Sequence, residues 1–289
     1  MMEVLFCFDT RYEQHFGVAV TSLLINNPGQ VSKVHIITDR ASQSLQSKLD
    51  RLQKNHAVPF CTYEIDGKQF SSFKLSAHFS IAAYFRLLAA EVLPSDLDRV
   101  LYLDSDLVVT SSLAELWSLD ISEYPIAAWG HRVVTNKKRL ELQNDYYFNS
   151  GVMLINLAAW RRDQIPTQAM QFVNEHPEMI RFVDQDALNK IIDGDFLQLP
   201  EKWNSLVDLS TERSQFGEDA AIVHFVGSLK PWQIWCLNPD KAIYWKYLKQ
   251  SPWSNAFPTL PQNSKQALSA GRYVWNYVRR GGLKPKVAN

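Results

Sequence analysis

Asp104 and Asp106 stand two residues apart inside the apolar run Val-Leu-Tyr-Leu-Asp-Ser-Asp-Leu-Val-Val that spans residues 100–109. A run this dense reads as a strand buried on both faces of a parallel sheet, which leaves two carboxylates at its C-terminal end in need of a reason. On an extended chain, side chains at i and i+2 point the same way, so the two charges converge and repel unless a cation holds them. A hard divalent ion with oxygen ligands is the natural partner, and its open positions favour phosphate oxygens. Two other roles fit the same residues. In one, Asp104 opens a turn and Asp106 is solvated. In the other, Asp104 is a phosphatase-type nucleophile and Asp106 its acid/base partner.

The elements that must position the pair follow an α/β alternation. Strands are expected at residues 4–8, 34–38 and 60–65, with helices at 16–25 and from a Ser42 cap to about Asn55. This is a Rossmann-like, mainly parallel sheet flanked by helices. Ligands in such sheets lie beyond the C-terminal strand ends, so Asp9, closing the first strand, can face the same crevice as Asp104 and Asp106. No G-x-G-x-x-G follows the first strand and no Walker sequence occurs, so the dinucleotide and P-loop phosphate cradles are missing. Further along, a helix over 80–91 carries Arg86, and short strands are expected at 126–129 and 152–155. The entry to the second of these, Tyr-Tyr-Phe-Asn-Ser-Gly, contains Asn149 and Gly151. Asp184-Gln185-Asp186 opens a helix through Ile192, and a strand over 221–223 delivers His224.

With 289 residues, 46% hydrophobic and 21% charged, the chain suits one large domain with an appendage. No apolar run reaches membrane-spanning length and the start lacks a basic leader, so a cytosolic protein is expected. Cys7, Cys61 and Cys236 are far apart and odd in number, which favours reduced core thiols. The zero net charge conceals an asymmetry: nine Lys or Arg and no acidic residue follow Asp240, leaving 21 basic against 30 acidic groups in residues 1–240. A C-terminal helix over 266–280 mixes Arg272, Arg279 and Arg280 with Tyr273, Trp275 and Tyr277, a pattern suited to an anionic membrane surface.

Five motifs in order, Phe-Asp near the N-terminus, Leu-Tyr-Leu-Asp-Ser-Asp, Tyr-Phe-Asn-Ser-Gly-Val, Asp-Gln-Asp and Val-His-Phe-Val-Gly-Ser-Leu-Lys-Pro-Trp, resemble the family 8 glycosyltransferases. Within that family the chain resembles the LgtC-like bacterial lipopolysaccharide α-galactosyl- and glucosyltransferases, and more distantly glycogenin. The resemblance covers about residues 3–250, which would form a GT-A domain, with 251–289 as a basic, aromatic C-terminal tail.

The resemblance implies a UDP-hexose donor, Mn²⁺ with Mg²⁺ as second candidate, retention of anomeric configuration, and a glycan or glycolipid acceptor at the cytoplasmic face of the inner membrane. No nucleic-acid partner is implied. Residue by residue, Asp104, Asp106 and His224 match the metal ligands. Asp9, Arg86, Asp104, Ser105, Asn149, Gly227 and Lys230 match the donor-binding set, with Asp9 at the uridine and Gly227 and Lys230 at the diphosphate. Asp184, Gln185 and Lys230 match the catalytic group, Gln185 lying at the reactive face of the sugar either as a transient nucleophile or as an electrostatic support, the second favoured because an amide is a poor nucleophile. Arg11 replaces the asparagine common after the first strand, and Trp129-Gly130-His131 stands where an acidic residue often lies near the acceptor, so acceptor choice is not inherited. Against the transferase stand the phosphatase and a non-catalytic sugar-nucleotide-binding protein.

Overall fold

The computed structural model describes residues 1–66, 81–211 and 216–279. Its strands are β1 (Met2–Phe8), β2 (Val31–Thr38), β3 (Phe60–Glu64), β4 (Arg99–Leu103), β5 (Leu107–Val109), β6 (Ile126–Arg132), β7 (Tyr146–Asn156), β8 (Leu197–Gln198), β9 (Ser205–Val207) and β10 (Ile222–Phe225). Seven form one sheet in the order β3-β2-β1-β4-β7-β6-β8, parallel except where β7 runs against β4 and β6. The other three form a small sheet, β5-β10-β9.

The large sheet is covered on both faces, and side chains sort between the layers with the two-residue period of a strand. Val4, Phe6 and Phe8 join one core with Leu101 and Leu103, whereas Leu5 and Cys7 join the other with Val100 and Tyr102. The first core is filled by α1 (Glu13–Asn26) and α2 (Gln43–His56), whose N-cap Ser42 accepts from Leu45 N as expected. Residue 80 lies outside the described segments, and Ile81–Leu88 forms a 3-10 helix before a single α-helical turn, Ala89–Val92. The expected continuous helix is therefore tighter in its first eight residues, with Arg86 facing inward.

The run over residues 100–109 is not one strand. β4 belongs to the large sheet and β5 to the small one, and Asp104-Ser105-Asp106 is the turn between them. Asp104 N still donates to Gly151 O of the large sheet at 2.8 Å, whereas Asp106 O accepts from Phe225 N of the small sheet at 3.0 Å. Helix α1 holds the small sheet in place by satisfying the free edge of β5: Ser22 Oγ accepts from Val109 N, and Asn26 Nδ2 donates to Val109 O.

The last described helix, α3 (Ser264–Arg279), turns Ala270 and Tyr277 toward the body, and the Tyr273 hydroxyl donates to Leu209 O at 3.3 Å. Leu268, Trp275 and Val278 point outward, 75%, 68% and 47% exposed. Residues 280–289, including Arg280 of the expected basic patch, lie outside the described residues. Among the described residues no helix is long and apolar enough to cross a membrane. The three cysteines are free.

Candidate functional site

Antiparallel pairing of β5 with β10 sets Leu107 opposite His224, which brings the imidazole beside the aspartate preceding Leu107. His224 Nε2 lies 3.2 Å from Asp106 Oδ1 and 3.7 Å from Asp104 Oδ2. Ligand atoms of the three residues all fall within 4.8 Å of one another. A sequence separation of 118 residues is thereby closed by one strand pair. Lys230 reaches the same place from the loop after β10, donating to Asp106 Oδ2 at 2.8 Å and to Phe225 O. Burial by itself would favour the protonated acid, but Lys230 and His224 outweigh it and hold the Asp106 carboxyl well below the usual carboxylate range.

The Lys230 loop is anchored by an aromatic stack. Trp232 lies on His15 with ring centroids 3.5 Å apart, and His15 Nδ1 meets the Tyr244 hydroxyl at 2.8 Å. Burial pushes the His15 imidazole down to about 3, so it packs as a neutral ring. Gly227 takes φ +77°, a conformation that costs glycine least, and lets the chain turn back toward Lys230.

On the other side of Asp104, Arg86 is the organising cation. Its guanidinium meets Asp104 Oδ1 at 2.9 Å, Asp184 Oδ2 at 3.1 Å and Ser150 O at 2.7 Å, and lies over the Tyr102 ring at 4.4 Å. Tyr102 donates to Asp104 Oδ1 at 2.6 Å. Arg86 is thus a buried clamp on two carboxylates rather than a helix-surface ion pair. Burial raises the Asp184 carboxyl, Arg86 opposes and Asp104 reinforces the rise, and the group ends at about 6. Asp104, Asp106 and Asp184 face Arg86 and Lys230, so with His224 neutral the cluster carries one net negative charge. A bound dication would reverse that sign and make the site a receiver of anions.

A defect in β7 brings the remaining groups in. Between Ala128 and Gly130 the β6 strand advances two residues, while its partner advances five, from Met153 to Phe148. The surplus leaves β6 and projects Asn149, Ser150 and Gly151 toward Asp104, as bulges beside sites commonly do. Asn149 Nδ2 donates to Gln185 Oε1 at 3.0 Å, and Ser150 Oγ to Asp184 Oδ2 at 3.0 Å. Asp184 and Gln185 open the helix Val183–Ile192, whose first residue has φ +40°, an outlier for a β-branched side chain and a form of strain that clusters at functional sites. Asp186 points the other way. Fully buried, it accepts from Arg139, the Tyr147 hydroxyl and the backbone N–H groups of Arg181 and Phe182, and so fixes the helix start.

The structure therefore gathers Arg86, Asp104, Asp106, Asn149, Asp184, Gln185, His224 and Lys230 into one hydrogen-bonded cluster. Ser105 sits within it, its hydroxyl buried without a hydrogen-bond partner among the described residues. Asp9 is buried at the end of β1 and bound by Arg11, with Nη2 to Oδ2 at 2.7 Å. The arginine that replaces the usual asparagine thus engages its own neighbour. Tyr12 lies between the two parts: burial, then Asp106, Asp9 and Asp104, push its hydroxyl far above its ordinary value. Sequence reasoning missed Tyr102, Tyr147, Ser150 and Asn204. The first three lie inside stretches already singled out, but Asn204 sits in an unremarkable Trp-Asn-Ser.

A family model described as glycosyl transferase family 8 matches residues 3–236. The chain belongs to that family. General stress protein A of Bacillus subtilis (strain 168) is 30% identical over 274 residues, covering 88% of this chain and 95% of the relative. Lipopolysaccharide 1,3-galactosyltransferase of Salmonella typhimurium is 29% identical over 275 residues, covering 90% of this chain and 81% of the relative. Among solved structures, the galactosyltransferase LgtC in complex with donor and acceptor sugar analogs aligns with TM-score 0.76 at 25% identity, covering 98% of this chain and 100% of that one. This family 8 glycosyltransferase has the GT-A architecture expected from its motifs, with Asp9 and Asp104 standing just beyond the C-terminal ends of β1 and β4.

Proposed function

We propose that this glycosyltransferase moves a hexose, galactose or glucose, from a UDP-sugar to a lipopolysaccharide or related cell-surface glycan with retention of configuration, using Mn²⁺. The observation that carries the proposal is the convergence of Asp104, Asp106 and His224 within 4.8 Å beside Lys230. Membership of family 8 supports the transfer chemistry, and the lipopolysaccharide galactosyltransferase among the relatives supports the acceptor class. Family membership also leaves the phosphatase without support.

The donor set fits the ion. Two carboxylates and one imidazole nitrogen suit Mn²⁺ better than the all-oxygen shell Mg²⁺ prefers. His224 Nδ1 meets Asn204 Oδ1 at 3.0 Å, leaving Nε2 toward the carboxylates. When bound there, the ion neutralises charge on the leaving diphosphate.

The chain's own groups do the rest. Lys230 adds a second positive charge at the same oxygens, and Gly227 lets backbone approach them. Asp184 and Asn149 hydrogen-bond the donor hexose and hold its anomeric carbon near Gln185. Positive charge builds at that carbon as UDP departs, and the acceptor hydroxyl attacks from the face UDP leaves. The Gln185 carbonyl oxygen, oriented by Asn149 and Ser150 N, offers a dipole rather than an anion, which favours electrostatic support over covalent attack. Arg86 holds the carboxylates of Asp104 and Asp184 side by side, each of its guanidinium nitrogens having a protein partner. The outward face of α3 would meet an anionic bilayer, bringing a lipid-linked acceptor to the crevice.

A screen of UDP-hexoses for UDP release in Mn²⁺ tests the proposal. Turnover is expected with UDP-galactose or UDP-glucose, and lost with chelator. Absence of both turnover and metal-dependent UDP binding with every UDP-hexose would overturn it.

A further inference from the structure

Six side chains link the cation site to the protein interior in a single file of hydrogen bonds. His224 Nδ1 meets Asn204 Oδ1 at 3.0 Å, Asn204 Nδ2 donates to Asn149 Oδ1 at 2.9 Å, and Asn149 Nδ2 donates to Gln185 Oε1 at 3.0 Å. Gln185 Nε2 then donates to the Tyr147 hydroxyl at 3.1 Å, which donates to Asp186 Oδ1 at 2.6 Å. The members come from four elements: β10, the end of the Glu201–Trp203 turn, β7 and the Val183–Ile192 helix.

The direction of the file is fixed by groups that have no choice. Asp186, paired to Arg139, can only accept, so Tyr147 must donate and its oxygen must receive the Gln185 amide. Two backbone N–H groups can only donate: Ser150 N points at Gln185 Oε1 at 3.1 Å, and Gly151 N at Asn149 Oδ1 at 3.0 Å. These settle which end of each amide is oxygen. With Asn149 Oδ1 facing it, Asn204 must present its NH₂ to Asn149 and its oxygen to His224, and an oxygen there demands a proton on Nδ1. Nε2 is left facing Asp104 and Asp106, where a cation held between them would take its lone pair.

We infer that Asn204, fully buried and hydrogen-bonded to His224 on one side and Asn149 on the other, is a positioning residue that imposes on His224 the tautomer able to bind the cation and ties that choice to the orientation of Gln185. Partners of ligating histidines act in this way, and their loss weakens metal binding by about 10- to 100-fold. The amide is required at this position because it alone accepts from His224 and donates to Asn149 at once. An aspartate keeps the first bond and loses the second, since two acceptors would then face each other at Asn149 and break its hold on Gln185.

The inference rests on the metal-dependent reading above, and Mn²⁺ titration calorimetry of the full chain in the presence of UDP separates the two. If the wild-type protein takes up no Mn²⁺ with UDP, it is the functional proposal that fails. If it does, Asn204→Ala is expected to bind Mn²⁺ at least about tenfold more weakly, while Asn204→Asp holds it within about threefold and loses turnover by tenfold or more in kcat, with little change in donor KM. Wild-type Mn²⁺ affinity in folded Asn204→Ala, or full turnover in Asn204→Asp, would overturn the inference. Should the alanine variant not fold, the near-isosteric aspartate decides on kcat alone.

Discussion

The β-carbon that Gly151 lacks would lie 2.3 Å from His224 Cε1 and 2.6 Å from Asp104 Oδ2. Real contacts of this kind do not occur below 3.0 Å, so the glycine is where the β7 bulge passes directly behind two candidate cation ligands. Gly151→Ala should push the imidazole and carboxylate apart. We expect Mn²⁺ affinity in the presence of UDP to fall at least tenfold, as for lost ligand support, with destabilisation of about 1–3 kcal/mol from overpacking. Calorimetry and thermal unfolding read the two effects separately.

Asp106→Ala tests the pair from its other member. Asp106 lies at the head of the small sheet, and its side chain meets Lys230 and His224. Mn²⁺-dependent UDP binding should disappear and the circular dichroism of the fold should remain. Persistence of metal-dependent binding would return Asp104 and Asp106 to the role of a simple turn.

Lys230 joins the same carboxylate from a loop held by the Trp232 stack. Lys230→Met keeps the length of the stem and removes the charge. If the ammonium stabilises the departing diphosphate, kcat should drop by about 10²–10³-fold, as for loss of one preorganised charge-stabilising donor. A change confined to KM would mean ground-state binding instead.

Asp184 gives a pH signature. Its carboxyl is raised to about 6 by burial, against the lowering by Arg86. The folded state therefore holds this proton more tightly than the unfolded chain, so the group favours folding most below about pH 4, and that contribution is lost as pH rises through about 6. Compared with Asp184→Asn, which does not titrate, the wild-type protein should lose on the order of 3 kcal/mol of relative stability between pH 4 and pH 7. Denaturant unfolding of both at several pH values measures the difference; parallel curves would mean that Asp184 keeps its ordinary pKa.

The outward face of α3 predicts a separable function. Leu268 and Trp275 are exposed while Tyr273 and Tyr277 hold the helix to the body, so replacing both outward residues by serine should leave the melting temperature unchanged. Binding to vesicles rich in anionic lipid should weaken tenfold or more, since each lost side chain removes about 1.5–3 kcal/mol of apolar burial at a membrane. UDP release into water should be unaffected.

The residue types of the site were legible in the chain because its chemistry is local in origin. A carboxylate pair at the end of an apolar strand, a glycine beside an asparagine, and a lysine six residues after a histidine each carry their constraint in neighbouring residues. The alternation of strands and helices was legible for a similar reason, since a sheet covered on both faces needs dense apolar runs. Tertiary structure decided what periodicity cannot express. It divided the run at 100–109 between two sheets, because Asp104 and Asp106 take backbone partners from strands far apart in sequence. It turned Arg86 inward to bind two carboxylates, and it separated the C-terminal aromatics into a docked face and a free one. Above all it recruited Asn204, whose importance has no local signal. A hydrogen-bonding residue of this kind is defined by what stands on either side of it, and His224 and Asn149 meet there only after the chain has folded.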